Sequence, residues 1–340
     1  MSDSLLQLAI FGCGRNAREH AQTFRAMAGV RLRAYWNRPD DFHLAEAMLR
    51  DFGGAYCTDD YRRVADDPAV DAIYICTMHN DRLRLLDAAA RAGKPVFMEK
   101  PLALPAELLR EMADVLRRHP ILFQSGFKIR FHSLVGRAAA LLPNPEILVA
   151  HVLDDPWPPG DLNDPAISGG NVRAQGVYAA DALQILAGSL PVAVTASARN
   201  ARQPSGVEDT LCATFEFASG ALGCLAVADA GNGPGAISKF LVEAAGGGTS
   251  LALFSRFTRL QVREADGRET TIIGEEDGFL RQSAAFIAAV RAGGPSPNPF
   301  LQGAIPSIMI ARALDAAASG CRERIDVHAW LAPAATSAGR

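Results

Sequence analysis

The chain has 340 residues, of which 49% are hydrophobic and 21% charged, with 34 basic against 37 acidic side chains. These proportions indicate a globular protein of about two domains, at roughly 150 residues each, and exclude a disordered or fibrous chain. No segment concentrates basic residues as nucleic-acid binding requires, and no apolar run approaches the ~18–20 residues that span a bilayer. The amino terminus has no basic segment before its first apolar run, so we expect a cytoplasmic protein without nucleic-acid or membrane partners.

Two residue types narrow the chemistry. The six cysteines and seven histidines are dispersed without metal-ligand spacing, so we expect free thiols and no metal site. Lysine is rare, since only Lys94, Lys100, Lys128 and Lys239 occur. A buried lysine can lower its pKa and exchange a proton, which arginine cannot do, so each lysine is a candidate for chemistry.

Strand and helix patterns alternate over residues 1–125. Apolar runs predict strands at Leu5–Phe11, Val30–Trp36, Asp71–Cys76, Pro95–Met98 and Ile121–Gln124, and helical spacing predicts helices over 16–28, 41–52, 80–92 and 105–118. This alternation predicts an α/β domain with a doubly wound parallel sheet.

The pattern changes after residue 125. A segment rich in Pro, Gly and Asp predicts a long ordered loop over 154–170, and a helix is predicted over 172–187. Strands joined by short turns are predicted at 192–199, 210–217, 221–229, 238–245, 249–253, 257–264 and 269–273, and helices at 278–292 and 301–319. Short Gly-containing turns favour an antiparallel sheet, so residues 126–330 are predicted to form an α+β domain, followed by a tail over 331–340.

The first strand leads into Gly12-Cys13-Gly14-Arg15-Asn16-Ala17, a G-x-G-x-x-A variant of the dinucleotide fingerprint. Gly12 permits a tight turn, Gly14 lets the backbone approach a pyrophosphate, and the following helix directs its amino terminus at the phosphates. Its position between a strand and a helix predicts dinucleotide binding, against the alternative of an ordinary strand-to-helix turn.

The second strand ends at Asn37 and Arg38, where an NAD-preferring domain usually has an acidic residue. A neutral and a cationic residue at this point favour NADP, because they tolerate or pair with a 2′-phosphate. NAD remains the alternative if Arg38 is only a solvated charge.

A short apolar strand delivers Glu99 and Lys100 to its carboxyl end, followed directly by Pro101. Ligands of open α/β sheets bind at this edge, and the proline restricts Lys100 to extended geometry. These residues are therefore candidates for the reacting site, the alternative being an ion pair on the surface.

Several segments together resemble the Gfo/Idh/MocA oxidoreductases, which include glucose–fructose oxidoreductase and inositol dehydrogenase. These segments are G-C-G-R-N-A at 12–17, I-C-T at 75–77, A-G-K-P-V-F-M-E-K-P-L-A at 92–103, G-F-K-I-R-F at 126–131 and S-G-G-N at 168–171. The resemblance implies an NAD(P)-binding Rossmann domain followed by a domain with a large, mostly antiparallel sheet. That sheet often joins subunits, so the resemblance also implies a homodimer or homotetramer.

The resemblance implies a role for each matching residue. Lys100 corresponds to a lysine beside the nicotinamide and the reacting substrate oxygen, and Glu99 to a residue near the nicotinamide ribose. The cofactor-binding residues would be Gly12, Gly14, Arg15, Asn16, Asn37, Arg38, Thr77, Glu99 and Lys100. Lys128 and Arg130 fall in a segment that often lines the substrate pocket, the alternative being surface charges on a linker helix.

Two segments depart from the family pattern. Thr77-Met78-His79-Asn80-Asp81-Arg82 replaces the common T-P-N-x-x-H, and Ala174 and Tyr178 replace an Asp and a His four residues apart. Asp181 is kept. Spacings of four and three place Ala174, Tyr178 and Asp181 on one helical face, where we expect Tyr178 and Asp181 to bind substrate. Either the Tyr178 hydroxyl exchanges a proton, or its ring only packs against substrate or the nicotinamide while Lys100 handles the proton alone.

We therefore predict hydride transfer between a nicotinamide and a secondary alcohol or carbonyl of a sugar-like or other polar small molecule. Lys100 would stabilise the developing alkoxide and assist proton transfer. Two alternatives come from other classes, a catalytically silent NAD(P)-binding regulator and a lyase or hydrolase that uses bound NAD transiently.

Overall fold

The computed structural model describes residues 5–333 except 159 and 232–238. The chain divides into two compact units. The first comprises the chain up to Gly126, Phe279–Gly303 and the residues from Leu331, and the second comprises Phe127–Gly278 and Ala304–Trp330. The sequence predicted one uninterrupted second domain over 126–330, whereas the chain returns to the first unit at Phe279.

In its described part, the first unit holds a sheet of six parallel strands in the order β3-β2-β1-β4-β5-β6. The strands are β1 (Leu6–Phe11), β2 (Val30–Trp36), β3 (Tyr56–Thr58), β4 (Ala72–Ile75), β5 (Val96–Glu99) and β6 (Phe123–Gly126). The helices between them are α1 (Arg15–Arg25), α2 (Phe42–Phe52), α3 (Tyr61–Ala65), α4 (His79–Arg91) and α5 (Leu108–Arg118). The predicted doubly wound sheet is confirmed. Its chain order reverses between β1 and β4, and ligands bind at such a crevice.

A later helix completes the core of the first unit. Helix α8 (Gly278–Ala292) places the ring of Phe286 5.4 Å from that of Tyr74 and 5.8 Å from that of Phe97. Phe286 is fully buried, and Ile287 is buried in the same cluster. Burial of these side chains explains why Phe279–Gly303 belongs to the first unit, against the predicted boundary.

In the described part of the second unit, nine strands form a sheet in the order β14-β13-β12-β11-β7-β10-β9-β8-β15. The strands are β7 (Ile147–Leu153), β8 (Pro191–Arg199), β9 (Thr210–Phe217), β10 (Leu222–Ala228), β11 (Phe240–Gly246), β12 (Thr249–Phe254), β13 (Arg259–Arg263), β14 (Glu269–Ile273) and β15 (Glu323–Arg324). Neighbours pair antiparallel except β7 with β10, which pair parallel. The predicted, mostly antiparallel sheet is confirmed.

Strand β7 is the main element that the sequence analysis missed. It lies inside the sheet between β10 and β11. Its apolar run lacks the polar–apolar alternation of a half-buried strand, because Ile147 and Val149 on its outer side are apolar although 44% and 38% exposed. Periodicity alone therefore cannot distinguish this short apolar run from a segment of a buried helix.

The remaining helices are α6 (Ser133–Leu141), α7 (Gly170–Ala187), α9 (Phe300–Ser319) and α10 (Val327–Leu331). Helix α7 packs on the buried side of β7, β10 and β11. The predicted loop over 154–170 is present, with one short helical turn at Asp161–Asn163. Residue 159 of this loop lies outside the described part of the chain.

Within the described ranges, no helix is long and apolar enough to cross a membrane. The predicted tail over 331–340 begins at the last residue of α10, and its residues 334–340 lie outside the described part. Residue 238 of the predicted strand 238–245 also lies outside it.

Candidate functional site

The loop after β1 has the geometry that a dinucleotide requires. Gly12 has φ +85°, and a Cβ on it would lie 2.7 Å from the Thr77 Cγ2 atom and 2.8 Å from the Thr77 backbone nitrogen. Gly12 N–H donates to the Trp36 carbonyl at 2.9 Å, which fixes the turn. A side chain at position 12 would therefore clash with the end of β4, so glycine is required.

The amino terminus of α1 can accept an anion. Gly14 is the residue that caps α1, and among the described residues no side chain caps the first N–H groups of the helix. A Cβ added to Gly14 would have no described atom within 4 Å, so the space in front of the helix is open. Arg15 and Asn16 form the first turn. The buried Thr77 Oγ1 has no hydrogen-bond partner among the described residues. Open space, exposed helix N–H groups and an orphaned hydroxyl fit a bound pyrophosphate.

The residues after β2 are engaged with carboxylates and backbone. Asn37 is buried, and its Nδ2 donates to the Asp41 carbonyl at 2.9 Å. Arg38 lies 3.4 Å from an oxygen of Asp41 and 3.6 Å from an oxygen of Asp81. Arg84 also pairs with Asp81. The positive charge predicted to receive a 2′-phosphate is thus already shared between two carboxylates.

Glu99, at the end of β5, lies in the protein interior. Its Oε1 is 2.7 Å from His20 Nε2 of α1, and both side chains are almost fully buried. Burial by itself would raise the pKa of Glu99. The hydrogen bond from His20 and the charges of Lys100 and Arg82 outweigh burial, and the pKa lies below its ordinary value. Glu99 therefore places a fixed negative charge next to the half-buried Lys100.

The predicted substrate residues Lys128, Arg130 and Asp181 lie in the second unit and form ion pairs. Arg130 Nε donates to Asp181 Oδ1 at 2.7 Å, and Arg130 Nη2 also donates to the Gln184 side chain. Lys128 Nζ lies 3.7 Å from Glu276. Burial raises the pKa of Asp181 to about 6, although the charge and hydrogen bond of Arg130 oppose this shift.

Tyr178 lies on α7 within an aromatic group. Its ring is edge-on to Phe127 at 6.4 Å and to Phe240 at 5.7 Å, and 9% of the residue is exposed. Ala174 is also buried. The Asp and His common in the resembling family are thus replaced by a small residue and a ring that packs against two others.

Sequence reasoning missed two residues beside Glu99. His20 lies on the buried face of α1 with Ala17, Ala21 and Phe24, so a polar residue within that apolar stripe was an available signal. Arg82 is buried and donates to backbone carbonyls, and the available signal was its replacement of the histidine common in the family pattern. Among the described residues, no three His, Cys, Asp or Glu side chains are grouped as metal ligands.

Comparison with known proteins agrees with this geometry. A family model described as "Oxidoreductase family, NAD-binding Rossmann fold" matches residues 6–127, and the GFO/IDH/MocA C-terminal domain model matches residues 147–238. The chain belongs to the Gfo/Idh/MocA oxidoreductase family. It therefore has an NAD-binding Rossmann fold, and the predicted recognition is confirmed.

Individual Gfo/Idh/MocA relatives are distant. An uncharacterized oxidoreductase of Bacillus subtilis (strain 168) is 28% identical over 63% of this chain and 64% of its own length. Inositol 2-dehydrogenase of Rhizobium meliloti (strain 1021) is 31% identical over 63% of this chain and 66% of its own length. These matches thus span slightly less than two thirds of both relatives. The structure of levoglucosan dehydrogenase in complex with NADH has a TM-score of 0.86 at 21% identity, covering 94% of this chain and 99% of that one, and shows the shared fold.

The Arg130–Asp181 pair predicts a pH-dependent stability. The pKa of Asp181 is raised to about 6 in the folded state, so the folded protein binds this proton more tightly than the unfolded chain, where the pKa is ~3.9. The protonated Asp181 therefore contributes its full stabilisation below pH ~3.9, and this stabilisation is lost as the pH rises through about 6. The free energy of unfolding of the wild type should therefore fall, relative to Asp181→Asn, by about 2 kcal/mol between pH ~4 and ~7. Urea unfolding across that range measures the difference.

The matched control is Asp315→Asn, which removes the carboxylate of an exposed pair with Arg312. It should keep the pH dependence of the wild type. A constant difference between wild type and Asp181→Asn across the range would contradict a raised pKa for Asp181.

Proposed function

We propose that this protein is an NAD(P)-dependent dehydrogenase or reductase that acts on a secondary alcohol or carbonyl of a sugar-like or cyclitol molecule. One observation carries the proposal. Lys100 follows β5 at the carboxyl edge of the sheet that also holds the Gly12–Thr77 cradle. Inositol 2-dehydrogenase and levoglucosan dehydrogenase among the similar proteins support a polyhydroxylated substrate.

The residues of the first unit would divide the work. A bound nicotinamide supplies a hydride acceptor or donor. Lys100 would hold the substrate oxygen and move its proton, because a half-buried ammonium both stabilises an alkoxide and exchanges a proton. Glu99, held by His20, keeps a negative charge beside Lys100. Gly12, Gly14, Arg15, Asn16 and Thr77 would hold the phosphates.

We propose NAD(H) as the preferred cofactor, although the sequence favoured NADP. The support is the pairing of Arg38 with Asp41 and Asp81, which a 2′-phosphate would have to displace. Two carboxylates at this point would also repel a phosphate dianion, whereas they can accept hydrogen bonds from a ribose hydroxyl.

For the second unit, we propose that Tyr178 and the Arg130–Asp181 pair shape the substrate pocket, with Lys128. The packing of Tyr178 against Phe127 and Phe240 supports a binding role, in which the ring contacts the substrate. The buried pair would hold the adjoining face of α7 rigid.

We also propose that the outer face of the second sheet joins copies of this chain. Ile147, Val149, Leu153 and Leu222 are 44%, 38%, 38% and 44% exposed there. Apolar side chains on a regular sheet face favour a flat, self-complementary contact. The molar mass in solution tests whether copies of the chain associate.

The cytoplasmic location stays a prediction.

Lys100→Met tests the reaction itself. If Lys100 moves the proton, turnover of an active inositol or sugar substrate should fall at least ~10²-fold while the NAD⁺ dissociation constant changes little. Formation of reduced nicotinamide measures turnover, and intrinsic fluorescence measures binding. Lys94→Met is the control. Lys94 lies before the amino end of β5 and donates to the Asp67 and Val70 carbonyls, so its loss should leave turnover unchanged. Full turnover by Lys100→Met would remove Lys100 from the mechanism, whereas NAD⁺ binding by the wild type without turnover of any substrate tested would favour the silent regulator.

Asp81→Asn tests cofactor choice. The wild type should bind NAD⁺ more tightly than NADP⁺. Removing the Asp81 charge should strengthen NADP⁺ binding about five- to tenfold, because Arg38 is released for a charge-assisted bond. The same change should weaken NAD⁺ binding, because it removes a charged acceptor for the ribose hydroxyl. Adding Arg38→Ala to that variant should cancel the gain. Tighter NADP⁺ binding by the wild type, lost in Arg38→Ala alone, would restore the preference for NADP.

Tyr178→Phe separates binding from proton transfer at α7. Since the ring is kept, a binding role predicts a changed Michaelis constant with turnover within about threefold of wild type. Tyr56→Phe is the control for loss of a tyrosine hydroxyl, because Tyr56 lies on β3 of the first unit, far from Tyr178 in sequence. A large fall in saturated turnover, with loss of one limb of the pH–rate profile, would make Tyr178 an acid/base group instead.

A further inference from the structure

Arg82 is a buried cation, and within the described part of the chain all its hydrogen bonds go to backbone carbonyl groups. It lies in the first turn of α4 and is 3% exposed. Its Nε and Nη2 donate to the Thr77 carbonyl at 3.0 and 2.6 Å. Its Nη1 donates to the Glu99 carbonyl at 2.6 Å and also to the Pro101 carbonyl.

These acceptors surround one residue. Glu99 and Pro101 are the neighbours of Lys100 on either side, and Thr77 follows the adjacent strand β4. One rigid, planar guanidinium therefore ties the backbone before and after Lys100 to the end of β4. A shift of Lys100 along or away from the sheet edge would break at least one of these bonds.

We infer that Arg82 is a positioning residue that fixes the backbone of Lys100 for the reaction. The inference rests on the proposed function in that Lys100 is taken as the proton-transferring group. A misplacement of about 1 Å at such a group can cost on the order of 10²-fold in rate, so three carbonyl anchors around it have a functional consequence.

The chemistry of arginine explains why this residue type is needed. A lysine presents its donors from a single nitrogen, and a histidine has two ring nitrogens on opposite sides, so neither spans three carbonyls as a guanidinium fork does. The resembling family commonly has histidine at this position, and this chain has arginine. The anchoring of Lys100 is thus a property of this chain's own residues.

The charge of Arg82 is compatible with its burial. Burial lowers its pKa to about 10, while the Glu99 carboxylate opposes that shift, so the guanidinium is charged at neutral pH. Hydrogen bonds from a charged donor are stronger than neutral ones, which favours a stable anchor.

The first test uses the scarcity of lysine and needs no substrate. Reductive methylation with ¹³C-formaldehyde labels the four lysines, and Lys100→Met identifies the Lys100 signal in the NMR spectrum. In Arg82→Gln, the Lys100 signal should shift and its titration should move, while those of Lys94, Lys128 and Lys239 stay in place. Arg91→Gln on the same helix, where Arg91 pairs with Asp87 on the surface, should leave all four signals unchanged.

The second test is kinetic. Arg82→Gln should lower turnover about tenfold or more and leave the NAD⁺ dissociation constant within about twofold. In the Lys100→Met background, Arg82→Gln should cause no further fall, because Arg82 acts through Lys100. A structural role alone would lower activity by the same factor in both backgrounds.

Arg82→His keeps a donor at the position and provides a second variant if Arg82→Gln unfolds. An unchanged Lys100 signal in a folded Arg82 variant, or independent effects in the double variant, would overturn the inference. Unfolding of both variants would do so as well, since Arg82 would then be required for folding. Absence of turnover by the wild type, with the Lys100 signal moved in Arg82→Gln, would reject the proposed function and keep the positioning role.

Discussion

A carboxylate removed from water needs hydrogen bonds or nearby positive charge, and in this protein that requirement falls on Glu99. Its side chain is 4% exposed, and His20 lies 2.7 Å away on the helix that follows the glycine loop. The charge of the buried Arg82 also lowers the pKa of Glu99, and its guanidinium donates to the Glu99 carbonyl. Loss of one partner from a buried charge typically costs about 3–5 kcal/mol, so β5, α1 and α4 are held together at their functional ends.

This arrangement connects the glycine loop after β1 to Lys100, the lysine that we propose takes part in the reaction. Helix α1 begins at Arg15, directly after the glycines, and carries His20 one turn later. Helix α4 begins two residues after Thr77, which touches Gly12, and carries Arg82 in its first turn. The same two helices therefore shape the proposed phosphate site and anchor the residues on either side of Lys100. Buried hydrogen bonds thus position the sheet edge through the protein's own residues, which favours preorganisation.

The second unit solves a similar problem with different residues. Asp181 is fully buried, and its Oδ1 accepts from Arg130, which donates in turn to Gln184. Ala174 and Tyr178 replace the commoner acid and histidine on the same helix, so the helix face is filled by aromatic packing rather than by a second titrating pair.

The sequence by itself determined the alternating strands and helices of the first unit, the glycine loop and the position of Glu99 and Lys100 at a strand end. Those features are local, because periodicity, turn residues and short motifs act over a few residues. Only the tertiary structure decided that His20 meets Glu99 across 79 residues, that Arg130 meets Asp181 across 51, and that Phe286 belongs to the first core. It also assigned β7 to the middle of the second sheet and gave Arg38 two carboxylate partners. Contacts between distant residues and bonds to backbone carbonyls, such as those of Arg82, depend on how elements pack, and packing is not encoded in any one segment.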